Sequence, residues 1–199
     1  YAYLRSLVFD RDLDFTNDYE LLGNPFDAPV HPTTRKPGNV FTIGPAMLWS
    51  PFALVGRALA AVIPRWGPPD GSGERFQTFV FFGSCLYGFA CCVLSYLIAR
   101  HAYRRVDALV AALAALFGTP LYWHMMRQAS YSHAVSAFLA ALLVLCWIRS
   151  YGSIRAPRWF SLGLLSGLCM AVRTAAGAHS LVPAAELVPQ LLGSIRRRD

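Results

Sequence analysis

Hydrophobic and polar positions divide the chain into a polar, turn-rich first third and an apolar remainder. Phe76 to Ala99 runs for 24 positions without an ionised side chain, Ala108 to Met126 for 19 and Gln128 to Ile148 for 21. About twenty apolar residues rising about 1.5 Å each cover the roughly 30 Å hydrocarbon core of a bilayer, so each run predicts a transmembrane helix. Trp159 to Val172 is a shorter run closed by Arg173, and Ala178 to Ile195 is another, interrupted by Pro183, Glu186 and Pro189. Together they are too long for one span and are read as two, which makes five in all. Ile43 to Ile63 also has the length of a span. Arg57 within it would cost about 2.5–3.5 kcal/mol at mid-bilayer, and Pro45 and Pro51 predict helix interruption. It is therefore read as a helix lying at the interface, with Trp49 and Arg57 toward the headgroups.

The polar third begins with SLVFDRDLDFTNDYE, Ser6 to Glu20, which holds five of the chain's eleven acids: Asp10, Asp12, Asp14, Asp18 and Glu20. Read as extended chain, Asp10, Asp12 and Asp14 share one edge while Phe9, Arg11, Leu13 and Phe15 share the other. Read as helix, Asp10, Asp14 and Asp18 stack at four-residue spacing and repel. Both conformations require a cation opposite. In the loop that follows, Pro25, Pro29, Pro32 and Pro37 and the turn pairs Gly23-Asn24 and Gly38-Asn39 exclude a regular element. His31, Arg35 and Lys36 are its groups able to face the carboxylates or an anionic substrate.

Composition sharpens this picture. The chain is 55% hydrophobic and 15% charged with a mean hydropathy of +0.39, whereas about a quarter of an average soluble domain is charged. The net charge of +7 comes from short arginine clusters between apolar runs, a pattern of membrane topology and not of a nucleic-acid face. Arg100, Arg104 and Arg105, then Arg149, Arg155 and Arg158, then Arg196, Arg197 and Arg198 make up half of the eighteen cations and mark the cytoplasmic side. Five spans then leave residues 1–74 as a first extracytoplasmic loop and 75–199 as the transmembrane bundle. The five cysteines fall inside apolar runs with no CxxC, and no histidines pair at metal spacing, so neither a disulfide framework nor a zinc site is expected. The start at Tyr1 without methionine, and the end soon after an apolar run, are read as those of an internal piece of a longer polypeptide.

On this topology the acidic strip, the basic turn and Tyr122 to His133, YWHMMRQASYSH, share the outer face of the membrane. Carboxylates beside histidine and arginine at a lipid–water boundary suit a reaction between a lipid-borne phosphate and a polar acceptor. A carboxylate takes the hydroxyl proton, and arginine or histidine stabilises the departing phosphate. Arg173, costly in lipid, is expected to reach a water-filled cavity, a phosphate or a carboxylate such as Glu186. DRDLD contains overlapping D-x-D units but lacks the soluble nucleotide-binding fold that would use them. As a calcium loop it fails at Phe15, where glycine is needed, and at Leu21, where glutamate is needed. No metal or other cofactor is expected.

The order SLVFDRDLDFTNDYE, GNVFTIGPAMLWSPFALVG, FGTPLYWHMMRQASYSHAVSAF and LGLLSGLCMAVRT resembles the amino-terminal half of bacterial integral-membrane glycosyltransferases of the C superfamily, relatives of the aminoarabinose and protein O-mannosyl transferases. The resemblance implies an all-α polytopic bundle in the bacterial inner membrane, with a long first outer loop bearing juxtamembrane helices. It also implies a polyprenyl-phosphate sugar donor, inverting transfer on the outer face and carboxylate catalysis. Two features depart from the pattern: the leading catalytic acid would fall just before Tyr1, and the second outer loop has no acid. What the resemblance carries over is Asp10, Asp12, Asp18 and Glu20 as acceptor-side acids and Arg35, Lys36, His133 and Arg173 as phosphate contacts. The implied partners are a lipid-linked sugar and membrane lipids, with no nucleic acid. A noncatalytic membrane component, such as a transporter half, is the alternative that the same composition allows.

Overall fold

The apolar run at residues 76–99 forms the axis of the molecule. The computed structural model describes residues 1–63, 65–68 and 70–195, with side chains to residue 188, and among these every regular element is a helix apart from one antiparallel bridge between Val30 and Pro37. In chain order they are α1 (Ala2–Arg5), continued by a π-helical turn at Ser6–Asp10, α2 (Thr16–Leu22), α3 (Gly44–Val62), α4 (Glu74–Ala99), α5 (Arg105–Phe117), α6 (Leu121–Met126), α7 (His133–Ser150), α8 (Ala156–Val172), a 3-10 helix at Thr174–Ser180, and α9 (Leu181–Ile195). The all-α bundle expected from the sequence is the observed fold. By length and composition α3, α4 and α7 are each able to cross a membrane.

Phe76 and Val80 of α4, Val135, Leu139 and Leu143 of α7, Trp49 and Ala53 of α3 and Leu162, Cys169 and Val172 of α8 belong to one buried core cluster. The start of α3 meets the end of α8 so closely that a Cβ on Gly44 would lie 2.3 Å from the Ala171 backbone, and the contact is fixed by Thr42 Oγ1 donating to Val172 O at 2.7 Å. On the outside, Phe82, Leu86, Phe89 and Val93 line one exposed stripe of α4, and Phe160 and Leu164 another on α8. Stripes of this kind match a hydrocarbon surround.

Residue contacts set the relative height of the helices. Trp49 Nε1 donates to Ser84 Oγ at 3.0 Å, and Ser84 Oγ donates to Ala129 O at 2.6 Å, so α7 begins near the level of Ser84. The first ten residues of α4, about 15 Å of helix, stand beyond that level. α3 covers this projecting part, where Gly56 faces Phe76 and Phe52 faces Gly83, and continues past it, where Leu48 O accepts from Tyr87 at 2.8 Å.

The structure corrects several sequence expectations. The apolar run Ala108 to Met126 is not one helix, because Gly118, Thr119 and Pro120 separate α5 from α6. Proline disfavours helical geometry at Thr119, whose hydroxyl instead donates to Ala115 O at 2.6 Å. Conversely, Pro45 and Pro51 do not interrupt α3. Pro45 occupies the first turn, where no intrahelical donor is needed, and the donor missing at Pro51 is replaced by Ser50 Oγ, which donates to Met47 O at 2.7 Å. Trp49 is a buried core residue, not a headgroup anchor, while Arg57 stays exposed, donating to Val8 O at 2.7 Å with its guanidinium over Phe9. Pro183, Glu186 and Pro189 all lie within α9 without ending it. The chain turns at Arg173 and returns antiparallel to α8, with Gly177 opposite Met170 and Glu186 opposite Arg158.

Arg158, counted above among the arginines that mark the cytoplasmic side, is 8% exposed and ion-paired to Glu186 at 2.5 Å. Glu186 also accepts from Trp147 Nε1 and Gly152 N, each at 2.8 Å, so it is not the partner of Arg173. Arg100, Arg104, Arg105, Arg149 and Arg155 gather at one end of the bundle, the basic end, and the acidic segment lies at the other. Arg196, Arg197 and Arg198 lie outside the described residues.

Candidate functional site

The acidic segment is neither an extended strip nor a single helix. The helical segment from Ala2 to Asp10 stops at Arg11, whose backbone is left-handed (φ 62°), and the chain re-enters a helix at Thr16. Short acidic side chains make the turn between them: Asp14 N donates to Asp12 Oδ1 at 3.1 Å, and Thr16 N and Oγ1 donate to Asp14 Oδ1 at 3.2 and 2.7 Å. Such side-chain acceptors replace the helix's own carbonyls at the break.

The cation required by the acids is Arg5, one residue before the stretch singled out in the sequence. It is 5% exposed, and its Nη1 donates to Asp10 Oδ2 at 2.7 Å and to Asp18 Oδ1 at 2.9 Å. Asn17 Nδ2 adds a 3.0 Å bond to Asp10, and Ser6 Oγ holds Asp12 Oδ1 at 2.9 Å. Asp18 is fully buried, and burial pushes its carboxyl above the usual range even against the pull of Arg5. Asp18 Oδ2 and Arg5 Nε are both buried without a hydrogen-bond partner. A buried polar group left this way costs about 1–3 kcal/mol.

The basic turn docks on the same segment. His31 N donates to Lys36 O at 2.9 Å, Tyr19 Oη donates to Gly38 O at 3.0 Å, and Lys36 Nζ pairs with Asp14 Oδ2 at 2.8 Å. Hydrogen bonds from Lys36 and Thr16 hold the Asp14 carboxyl down at about 2. Arg35, at φ 54°, stays exposed, as does Glu20. Of the phosphate candidates, the structure therefore commits Lys36 to Asp14 and leaves Arg35 in solvent.

His133 and Arg173 do come together. The start of α7 and the end of α8 place Arg173 Nη1 against His133 Nδ1, and His124 stacks on His133 with ring centroids 3.9 Å apart and planes 12° apart. Because a guanidinium only donates, Nδ1 of His133 is the acceptor nitrogen.

A cavity of about 480 Å³ has a lining that includes Asp18 and Tyr19 of α2, Asn39 and Thr42, Trp49 of α3, and Ser130 to Ser132 before α7; His133 and Arg173 are not among its described lining residues. Sequence reasoning missed Arg5, Ser6, Asn17 and Thr42. Arg5 carried a signal, a lone cation immediately before five acids. The carboxylates Asp10, Asp12 and Asp14 do not converge on one point, and among the described residues no three His, Cys, Asp or Glu side chains form a metal-sized group.

The fold and its apolar surface define an integral membrane protein of helices, with a cavity that Asp18 of the acidic segment and Ser132, the residue before His133 of the imidazole–guanidinium pair, both line. A model of the dolichyl-phosphate-mannose-protein mannosyltransferase family matches residues 73–198, and the chain belongs to that family. Its role is accordingly that of a membrane glycosyltransferase of mannosyltransferase type. No curated protein and no solved structure matches the chain.

Proposed function

We propose that the protein transfers a hexosyl group from a polyprenyl-phosphate donor to a hydroxyl acceptor on the extracytoplasmic face, with inversion at the anomeric carbon. The observation that carries this reading is the single cavity lined by both Asp18 and Ser132, the first joined by Arg5 to Asp10 and the second adjoining the His133–Arg173 pair. The acceptor oxygen forms its bond to the anomeric carbon as the bond to the phosphate oxygen breaks. A carboxylate takes the acceptor's proton while Arg173 and His133 stabilise the departing lipid phosphate. Asp10, Asp12, Asp18 and Glu20 are the acids available. Among them, Asp18 is the one buried against the cavity, and Asp12 is exposed and held by Ser6.

In this arrangement residues 1–74 form the outer loop and α3 is a juxtamembrane helix, a role supported by the approach of Gly56 to Phe76 and of Phe52 to Gly83 on the projecting part of α4. The basic end faces the cytoplasm. The test is sugar transfer from a polyprenyl-phosphate mannose by the full-length enzyme in nanodiscs. Arg173→Ala and His133→Ala are expected to lower kcat by about tenfold or more each, as expected when a donor to the leaving group is lost. Full transfer after Asp10, Asp12, Asp18 and Glu20 are together changed to Asn or Gln would overturn the carboxylate mechanism. Labelling of a cysteine at Asp14 from the cytoplasmic side would overturn the topology.

A further inference from the structure

The contact between His133 and Arg173 depends on which way the imidazole is turned. Among the described residues Arg173 Nη1 is the one hydrogen-bond partner of that ring, closest to Nδ1 and 3.4 Å from Nε2. An imidazole held at one edge can still turn about its Cβ–Cγ bond, where the torsional wells are broad and two-fold. A half-turn would put a C–H in the place of Nδ1 and leave the guanidinium without its acceptor.

The face of the ring is covered by His124. The two imidazoles lie with centroids 3.9 Å apart and planes 12° apart, whereas Tyr131 is 6.2 Å away and tilted by 30°. His124 is carried by α6, and α6 is anchored on α4 by the next residue. A Cβ on Gly88 would lie 2.3 Å from Met125 Cγ, and Met125 O accepts from Cys85 Sγ at 2.8 Å. Nδ1 of His124 is buried and has no hydrogen-bond partner among the described residues, so on that edge the ring makes no polar contact. Its flat face is what it presents to His133.

We propose that His124 is a positioning residue. Its ring, held on α4 through Met125, keeps the His133 imidazole turned so that Nδ1 accepts from Arg173. The guanidinium is thereby aimed, and its Nε and Nη2, which make no hydrogen bond among the described residues, are left for the departing phosphate. The proposal rests on the reading above that Arg173 and His133 serve the leaving group.

The test joins transfer kinetics of the full-length enzyme in nanodiscs, with polyprenyl-phosphate mannose as donor, to nitrogen NMR of the same protein labelled at histidine. His124→Ala is expected to lower kcat about fivefold, the scale of one ring–ring contact, with the KM for the donor little changed. His124→Phe, which keeps a flat face, is expected to recover most of that loss. In a His133→Ala background His124→Ala is expected to cost nothing further, since it acts through that ring. In the spectra His133 is expected to hold one tautomer, protonated at Nε2, in the parent and in His124→Phe, and to average between two in His124→Ala. An unchanged kcat in His124→Ala, losses that add in the double variant, or a His133 tautomer that His124→Ala leaves as it was would overturn the proposal. His124→Ala silent while His133→Ala and Arg173→Ala are impaired sinks this proposal and leaves the proposed function standing. Normal transfer by His133→Ala and Arg173→Ala sinks the leaving-group role instead, and the tautomer then decides whether His124 orients His133.

Discussion

Replacing Arg5 by Met removes the one cation that Asp10 and Asp18 share. Asp10 keeps its bond from Asn17 and a side chain 20% exposed, so water can take up part of the loss there. Asp18 has no such relief, since its side chain is 0% exposed and its other oxygen is already unpartnered. Breaking a buried pair by removing one member costs about 3–5 kcal/mol, which for a chain of this size lowers Tm by about 10 °C. The loss depends on pH. Burial already raises the Asp18 carboxyl, and without Arg5 it rises further. An acid whose value is raised in the folded state carries no penalty below its unfolded value of about 3.9 and the full penalty above its folded value. R5M is therefore expected to approach the parent in stability near pH 4 and to fall well below it at pH 8. Thermal unfolding of the full-length protein in detergent, followed by tryptophan fluorescence at both pH values, reads this directly. A Tm drop of under about 2 °C, or the same drop at both pH values, would refute the claim that Arg5 neutralises a buried carboxylate.

Glu186→Ala leaves Arg158 charged and buried and takes the acceptor from Trp147 and Gly152; a loss of about 3–5 kcal/mol is expected in detergent unfolding, with part of it recovered in R158M/E186L. Ser50→Ala is expected to cost about 1 kcal/mol and to raise amide exchange around Met47, because the carbonyl that Pro51 cannot serve loses its hydroxyl donor. Asp14 titrates at about 2 beside Lys36, so the contribution of this exposed pair is present at neutral pH and is lost as pH falls through that value. In K36Q the Asp14 carboxyl should titrate closer to the ordinary value, as followed by carboxyl NMR.

The membrane helices α4 and α7 were legible because an uncharged run of bilayer length has few other uses. The break in α5–α6 was legible only as Gly118-Thr119-Pro120, and it was overlooked because hydropathy counts residues without regard to backbone freedom. The opposite error at Pro51 came from treating proline as a break when its neighbour Ser50 supplies the missing donor. Trp49 shows a further limit: an amphipathic side chain suits an interface and a core equally well, and the choice is made by Ser84, distant in sequence. The same is true of Arg173, whose partner proved to be His133 and not Glu186. The acids themselves were found, yet their order was not, since alternation predicts an edge only if the backbone stays extended. Arg5 and the left-handed Arg11 decide otherwise.

The hydroxyl of Ser84 joins Trp49, which lines the cavity, to Ala129, which precedes the lining residue Ser130. One small buried side chain therefore ties two walls of the cavity to each other. A change there, remote from every acid and base, would alter the shape of the cavity before it altered any charge.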